Sequence, residues 1–228
     1  MKNKICDAII LAAGSSKRFK SILPKQFLKF NNKNLIDIAI ENLSALKKIR
    51  NIYIVLSKNN IYKIKKGCSA VKIIEGGNTR TKSVFKSLKF LSKSKDFPDN
   101  ILIHDAARPC LNIKELQKLF EKGNNSKIGL SLGYPLTNSL KKVNSKLQVI
   151  DNIKRDNFYM SYTPQIFNFT KLFLAYTDII SKGINVDDEI EAMINSGHKV
   201  EIMMSSPKNI KLTYQGDIEV IKSLMKKI

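Results

Sequence analysis

The sequence predicts an α/β fold: one mostly parallel sheet covered by helices on both faces, with a β-hairpin arm projecting from it. Three observations predict it. Short runs rich in Ile, Val and Leu alternate with amphipathic stretches through the first two-thirds of the chain. Strand–helix–strand repetition implies right-handed crossovers, which lay helices over a parallel sheet. A chain of 228 residues with 43% hydrophobic content is also large enough for one good core, and roughly 200–250 residues is common for a single α/β domain.

The elements follow in order. Residues 7–12 read as a buried strand, 34–46 as an amphipathic helix, 52–56 as a strand and 60–66 as a helix. A strand at 71–74, a helix at 81–91, a strand at 101–104, a helix at 113–121 and a strand at 128–133 continue the alternation. In each helix the apolar residues recur at helical spacing, whereas the strands are compact apolar runs. Between about 135 and 156 the pattern changes: Leu140, Val143, Leu147, Val149 and Ile153 are apolar, but the turn formers Asn144-Ser145-Lys146 interrupt them. This reads as a hairpin too small to fold alone. It could pack against another copy, close over a site, or be an ordinary edge hairpin. The segment Tyr162-Thr163-Pro164-Gln165-Ile166-Phe167 precedes helices at 171–180 and 188–196, a strand at 200–204 and a closing helix from about Asp217. No linker, repeat or low-complexity break divides the chain, so one domain over 1–228 with an inserted arm is expected.

Composition narrows the function. The formal net charge of +21 invites a nucleic-acid partner, but the lysines form no single arm or stripe, and Trp is absent. Base-stacking platforms are therefore poorly provided. The charge implies a general attraction for anionic substrates and no specific nucleic acid. Cys6, Cys68 and Cys110 are scattered with no C-x-x-C pair, which argues for reduced thiols in a cytoplasm and against a disulfide frame or zinc site. Two histidines cannot build a histidine-based metal cluster. Asp7 interrupts the N-terminal apolar stretch, so the N-terminus is expected to be retained and not to act as a secretory signal. No apolar run approaches the roughly 20 residues that span a bilayer, so a soluble chain without a membrane partner is expected.

Ligands of open α/β sheets bind beyond the carboxyl ends of the strands. Three polar motifs fall there: Ala12-Ala13-Gly14-Ser15-Ser16-Lys17-Arg18 after the first strand, Gly76-Gly77-Asn78-Thr79-Arg80 after the third, and His104-Asp105-Ala106-Ala107-Arg108-Pro109 after the fourth. Small residues let backbone N–H groups approach an anion, and Arg18 with Lys25 supplies two cations at neutral pH. The loop lacks the glycine spacing of both a P-loop and a dinucleotide fingerprint. A nucleotide site of another kind is indicated. For single residues a second reading stays open: Gly76-Gly77 as a plain strand-to-helix turn, Ser83 as a helix-face residue, and Arg80 as a solvated first-turn cation, although a cation is unfavourable at a helix N-terminus.

These motifs, with Pro24-Lys25-Gln26, Ser83-Val84, Arg155, Thr163-Pro164-Gln165-x-Phe167, Asp187-Asp188 and Asn209-Ile210-Lys211-x-Thr213, together resemble the 2-C-methyl-D-erythritol 4-phosphate cytidylyltransferase family of the non-mevalonate isoprenoid pathway. The resemblance spans essentially the whole chain and implies a Rossmann-like nucleotidyltransferase fold. It implies a reaction of CTP with a sugar-alcohol phosphate, giving a CDP-alcohol and pyrophosphate, with Mg²⁺ held mainly by the triphosphate and Asp105 as a candidate protein ligand. Arg18 and Lys25 are then the catalytic pair that stabilises the α-phosphate in the transition state. Ala12, Ala13, Gly14, Gly77, Asn78 and Ser83 would bind CTP. Arg155, Lys211, Ser139, Asp105 and Arg108 would position the acceptor, Ser139 and Arg155 being lent by a partner subunit through the arm of a homodimer.

Three positions depart from the family pattern: Asn78 stands where Asp is frequent, Asn138-Ser139-Leu140-Lys141 replaces Asp-Thr-x-Lys, and Val186 replaces a Thr. They bear on acceptor recognition more than on cytidylyl transfer. A ribitol-5-phosphate cytidylyltransferase is the nearest alternative, sharing nearly every motif. Ala107 and the compact length favour the methylerythritol enzyme. A basic nucleic-acid-associated protein on the same scaffold is the alternative from another class.

Overall fold

The computed structural model describes residues 4–14, 17–19, 24–64 and 70–226. β1 (Cys6–Leu11) leads past two short 3-10 turns (Lys17–Phe19 and Lys25–Phe27) and a small hairpin, β2 (Lys29–Phe30) and β3 (Lys33–Asn34), into α1 (Leu35–Ser44). β4 (Ile49–Leu56), β5 (Val71–Glu75), α2 (Arg80–Ser92), β6 (Asn100–Asp105), α3 (Ile113–Asn125) and β7 (Gly129–Pro135) follow. The arm is β8 (Leu140–Val143) and β9 (Val149–Ile153), and the chain continues through β10 (Tyr159–Asn168), α4 (Phe169–Ser181), α5 (Glu189–Asn195), β11 (Val200–Met204) and α6 (Asp217–Met225).

Seven strands form one sheet in the order β11-β7-β10-β6-β1-β4-β5. β10 runs antiparallel to both its neighbours, β6 and β7, and all other pairs in the sheet are parallel. The period-two alternation of strand side chains divides the core between two faces. Ala8 and Ile10 of β1, Ile52 and Ile54 of β4 and Leu102 of β6 pack under α1 and α3. Ile9, Tyr53, Val55, Ile101 and Ile103 pack under α2, α4 and α5 on the other side. A third cluster, with Phe19, Phe30, Leu35, Ala107, Leu212 and Ile221, ties α6 to the region after β1.

One expected helix is not formed. Residues 60–64 carry no helix, while residues 65 and 66, like Ser15, Ser16 and Cys68, lie outside the described residues. Asn60 explains the difference: its Nδ2 donates to the Ser57 carbonyl at 3.3 Å and its Oδ1 accepts from the Tyr62 N–H at 3.0 Å. Local side-chain bonding of this kind competes with helix formation. Tyr62 and Ile64 instead pack from this irregular segment onto the α1 face of the core.

At the amino end of β1, buried Asp7 accepts from Arg50 Nη2 at 2.7 Å and Nε at 3.0 Å, and from the Asn51 N–H at 3.1 Å. The carboxylate that broke the apolar run in sequence is thus a fully answered ion pair joining β1 to β4. At the other end of β1 the chain opens into a cavity.

Candidate active site

The cavity has a volume of about 520 Å³ and sits where β1 and β6 end and α2 begins. Ala12, Ala13, Gly14, Arg18, Lys25, Gly77, Asn78, Ser83, Asp105 and Lys211 all line it. Residues from five separate stretches of sequence therefore meet, as the open-sheet rule requires. A second cavity, of about 450 Å³, lies by the start of α3, where Asn112 and Glu115 are already engaged. There the Asn112 side chain caps the Lys114 and Glu115 N–H groups, and Glu115 accepts from Ser205 Oγ at 2.6 Å and from the Ser206 N–H.

The loop before α2 owes its shape to close packing. A Cβ on Gly77 would stand 2.5 Å from the Lys82 Cβ, and one on Gly76 would stand 2.8 Å from the Ala13 Cβ. Ser83, nearly buried in α2, accepts from the Gly77 N–H at 3.0 Å and donates to the Thr79 carbonyl at 2.8 Å. Ser83 is thus a helix residue that lines the cavity and fastens the loop. At Gly14 an added Cβ would meet nothing within 4 Å, so the backbone there faces open space.

Cations and one carboxylate give the cavity its chemistry. Lys25 Nζ donates to the Leu212 carbonyl at 2.6 Å. Burial, reinforced by Lys211 and Arg18, lowers its pKa to about 8. Asp105 is the sole carboxylate among the described residues lining the cavity. Its Oδ2 lies 2.6 Å from Lys211 Nζ and its Oδ1 lies 3.6 Å from Arg80 Nη2. Burial by itself would raise this carboxyl, but Arg80, Lys211 and Arg108 outweigh it and hold it well below the usual carboxylate range. Its backbone N–H donates to Thr163 Oγ1 at 3.0 Å, and that hydroxyl in turn lies 3.2 Å from His104 Nδ1. Burial lowers the His104 pKa to about 4, so the imidazole is neutral near pH 7 and its Nδ1 can accept from the Thr163 hydroxyl.

Comparison with known proteins shows the family of this chain. The family model for IspD, 2-C-methyl-D-erythritol 4-phosphate cytidylyltransferase, matches residues 6–227. The chain belongs to that family. It is 35% identical over 217 residues to the 2-C-methyl-D-erythritol 4-phosphate cytidylyltransferase of Wigglesworthia glossinidia brevipalpis, covering 92% of this chain and 91% of that one. It is 31% identical over 234 residues to the enzyme of that name from Blochmanniella pennsylvanica, covering 100% and 98%. The crystal structure of the Francisella tularensis IspD superposes with a TM-score of 0.82 at 27% identity, covering 96% of this chain and 99% of that one.

Other expected site residues of this IspD-family chain lie elsewhere. Arg108 does not line the cavity. It is nearly buried, donating to the Asn209 carbonyl at 2.8 Å and the Ser161 carbonyl at 3.4 Å, with its guanidinium 4.8 Å from the Tyr162 ring centre. Through those contacts Arg108 joins the loop after β6 to β10 and to the segment carrying Lys211, and its charge helps to hold Asp105 ionised. Ser139 and Arg155 are exposed on the arm and also stand outside the cavity. Arg155 donates to the neighbouring Thr137 carbonyl.

Sequence reasoning missed Glu189. Arg80 lines the cavity and pairs with Glu189, whose Oε1 accepts from Nη1 at 2.8 Å and whose Oε2 accepts from Nη2 at 2.9 Å. The signal was the misplaced charge: a cation opening a helix calls for a carboxylate nearby. Among the described residues no group of three or more His, Cys, Asp or Glu could hold a metal ion, and no helix is long and apolar enough to cross a membrane.

Proposed function

We propose that this chain transfers a cytidylyl group from CTP to 2-C-methyl-D-erythritol 4-phosphate, giving 4-diphosphocytidyl-2-C-methyl-D-erythritol and pyrophosphate. The observation that carries the reading is the convergence of Arg18, Lys25, Asp105 and Lys211 with the Ala12–Gly14 backbone on one cavity, in a chain of the IspD family.

An acceptor phosphate oxygen attacks the α-phosphorus of CTP. The new O–P bond forms as the bond from the α-phosphorus to the β-bridging oxygen breaks, and pyrophosphate leaves with that oxygen. Two polyanions must meet in line, so alignment and charge neutralisation dominate the protein's task. Ala12, Ala13 and Gly14 bring backbone close to the phosphates, and Gly77, Asn78 and Ser83 surround the base. Arg18 and Lys25 offset charge that builds on the α-phosphate in the transition state. Lys211 takes the acceptor phosphate, and Asp105 accepts from an acceptor hydroxyl.

A bound Mg²⁺ would supply charge neutralisation for the phosphates. The donor set suits an ion held chiefly by the triphosphate, because the single lining carboxylate, Asp105, is already paired with Lys211. Ser139 and Arg155 complete the acceptor side from the partner subunit of a homodimer. The exposed apolar residues Val143, Leu147, Val149 and Ile150 on the arm support that assembly. Free, buried Cys6 and Cys110 suit a reducing cytoplasm.

The test supplies CTP, Mg²⁺ and each acceptor separately and measures pyrophosphate. Release with 2-C-methyl-D-erythritol 4-phosphate is expected. Release with ribitol 5-phosphate alone would replace the acceptor.

A further inference from the structure

Arg80 opens α2, where the unpaired N–H groups of the first turn disfavour a cation. Its side chain is also largely withdrawn from water, at 25% exposure. Both penalties are met from outside the helix. Glu189, fully buried at the start of α5, grips the guanidinium through both oxygens, and Tyr176 Oη of α4 donates to Glu189 Oε1 at 3.1 Å. The next residue fastens the same turn. Thr81 Oγ1 donates to the Val186 carbonyl at 3.1 Å and accepts from the Val186 N–H at 3.0 Å.

Buried ion pairs seldom stabilise a fold more than apolar packing of the same volume. The direction in which this one points explains its place better. Arg80 Nη2, held by Glu189, faces Asp105 Oδ1 at 3.6 Å, while Lys211 holds Oδ2 at 2.6 Å. The carboxylate is therefore shared between two cations that approach it from different elements. Without Arg80, Asp105 would turn its whole charge on Lys211 and hold that ammonium back from an incoming phosphate.

We propose that Arg80, held by Glu189 and Tyr176, is a positioning residue that shares the charge of Asp105 and thereby leaves Lys211 available to the acceptor phosphate. This rests on the cavity being a cytidylyltransferase site, and it assigns Arg80, Glu189 and Tyr176 to acceptor binding in preference to nucleotide binding. Arg80 acts through Asp105 and Lys211, and Glu189 and Tyr176 act through Arg80.

The experiment measures KM for each substrate, kcat and the thermal midpoint in the full-length chain and in Arg80→Met, Arg80→Lys, Glu189→Gln and Tyr176→Phe. Arg80→Met is expected to raise the acceptor KM by on the order of 30-fold, and CTP KM by no more than about threefold. Arg80→Lys, which keeps a point charge, is expected to recover part of the loss, and Tyr176→Phe to raise acceptor KM by about threefold. Glu189→Gln leaves a buried guanidinium short of a counter-charge and endangers folding, so Arg80→Lys and Tyr176→Phe carry the test if that variant fails to fold. An active wild type whose folded variants keep acceptor KM, or lose both substrates equally, would overturn this inference alone. A wild type that releases no pyrophosphate would overturn the cytidylyltransferase reading together with it.

Discussion

The cavity floor and the arm handle polar groups in opposite ways. In the floor, charges are answered inside one chain: Asp105 by Lys211, and Arg80 by Glu189. In the arm, Ser139 and Arg155 are exposed, and the hydrogen bonds stay within the hairpin and its flanks, as where the Phe158 N–H donates to the Arg155 carbonyl at 3.0 Å. Leu147 at the arm tip is 81% exposed, against complete burial for Ile9 and Ile10 beneath the cavity. The lesson is that the cavity is assembled within a single chain, whereas the arm leaves its polar and apolar groups exposed. Each prediction below tests that division.

The largest effect is expected from Lys25→Ala. Losing a cation that acts in the transition state should lower kcat by on the order of 10²–10³-fold, with CTP affinity changing far less. Pre-steady-state turnover alongside calorimetric CTP binding checks this, and equal losses in both would remove the transition-state role.

Arg155→Ala is expected to reduce acceptor kcat/KM by roughly 10–100-fold while leaving CTP binding intact. A mixing assay tests the shared site directly. If Arg155 is lent across a two-fold axis, mixing Lys25→Ala with Arg155→Ala chains creates one intact site per mixed dimer. Random exchange should then restore about a quarter of wild-type activity. No recovery after verified subunit exchange would place Arg155 in the site of its own chain, or outside any site.

A pH profile reads the floor alone. Lys25 has its pKa lowered to about 8, so in the empty site its positive charge is present below that pH and is lost as pH rises through it. The value of kcat/KM for CTP should fall above about pH 8, approaching tenfold per pH unit. Bound triphosphate favours the ammonium, so the corresponding fall in kcat should lie at higher pH. A profile flat to pH 10 would mean that the Lys25 charge is not required.

The smallest effect belongs to Ser139→Ala, about threefold on acceptor KM, since one exposed hydroxyl contributes a single neutral hydrogen bond. A larger effect on CTP than on the acceptor would contradict its place on the arm side.

Much of this architecture was legible because its signals are local. The run at residues 7–12 alternates between two core faces, and the three polar motifs sit directly after strands, so β1, β5 and β6 and the cavity walls could be read along the chain. The segment containing Tyr162 and Phe167 was not read as a strand, and the antiparallel direction of β10 depends on an arm that returns beside β7, which no short window records. The helix expected at 60–66 failed over 60–64 because one Asn side chain outweighed the apolar spacing. Arg108 shared a motif with Asp105, yet its partners, the Asn209 and Ser161 carbonyls, lie 101 and 53 residues away, beyond what the motif records. Glu189 was invisible because it reaches Arg80 across 109 residues, and a glutamate opening a helix looks ordinary by itself.

β10 has one further consequence. Because it lies beside β7 and runs against it, the two are joined by a plain return of the chain, with no crossover helix to accommodate. The hairpin between them can therefore lengthen, shorten or be exchanged without shifting the register of any strand in the main sheet. The loops after β1 and β6 have no such licence, since they lead into the crossover helices α1 and α3. Grafting a foreign arm between Pro135 and Tyr159 is the change this scaffold is built to tolerate, and a natural route by which one catalytic floor could acquire new acceptors.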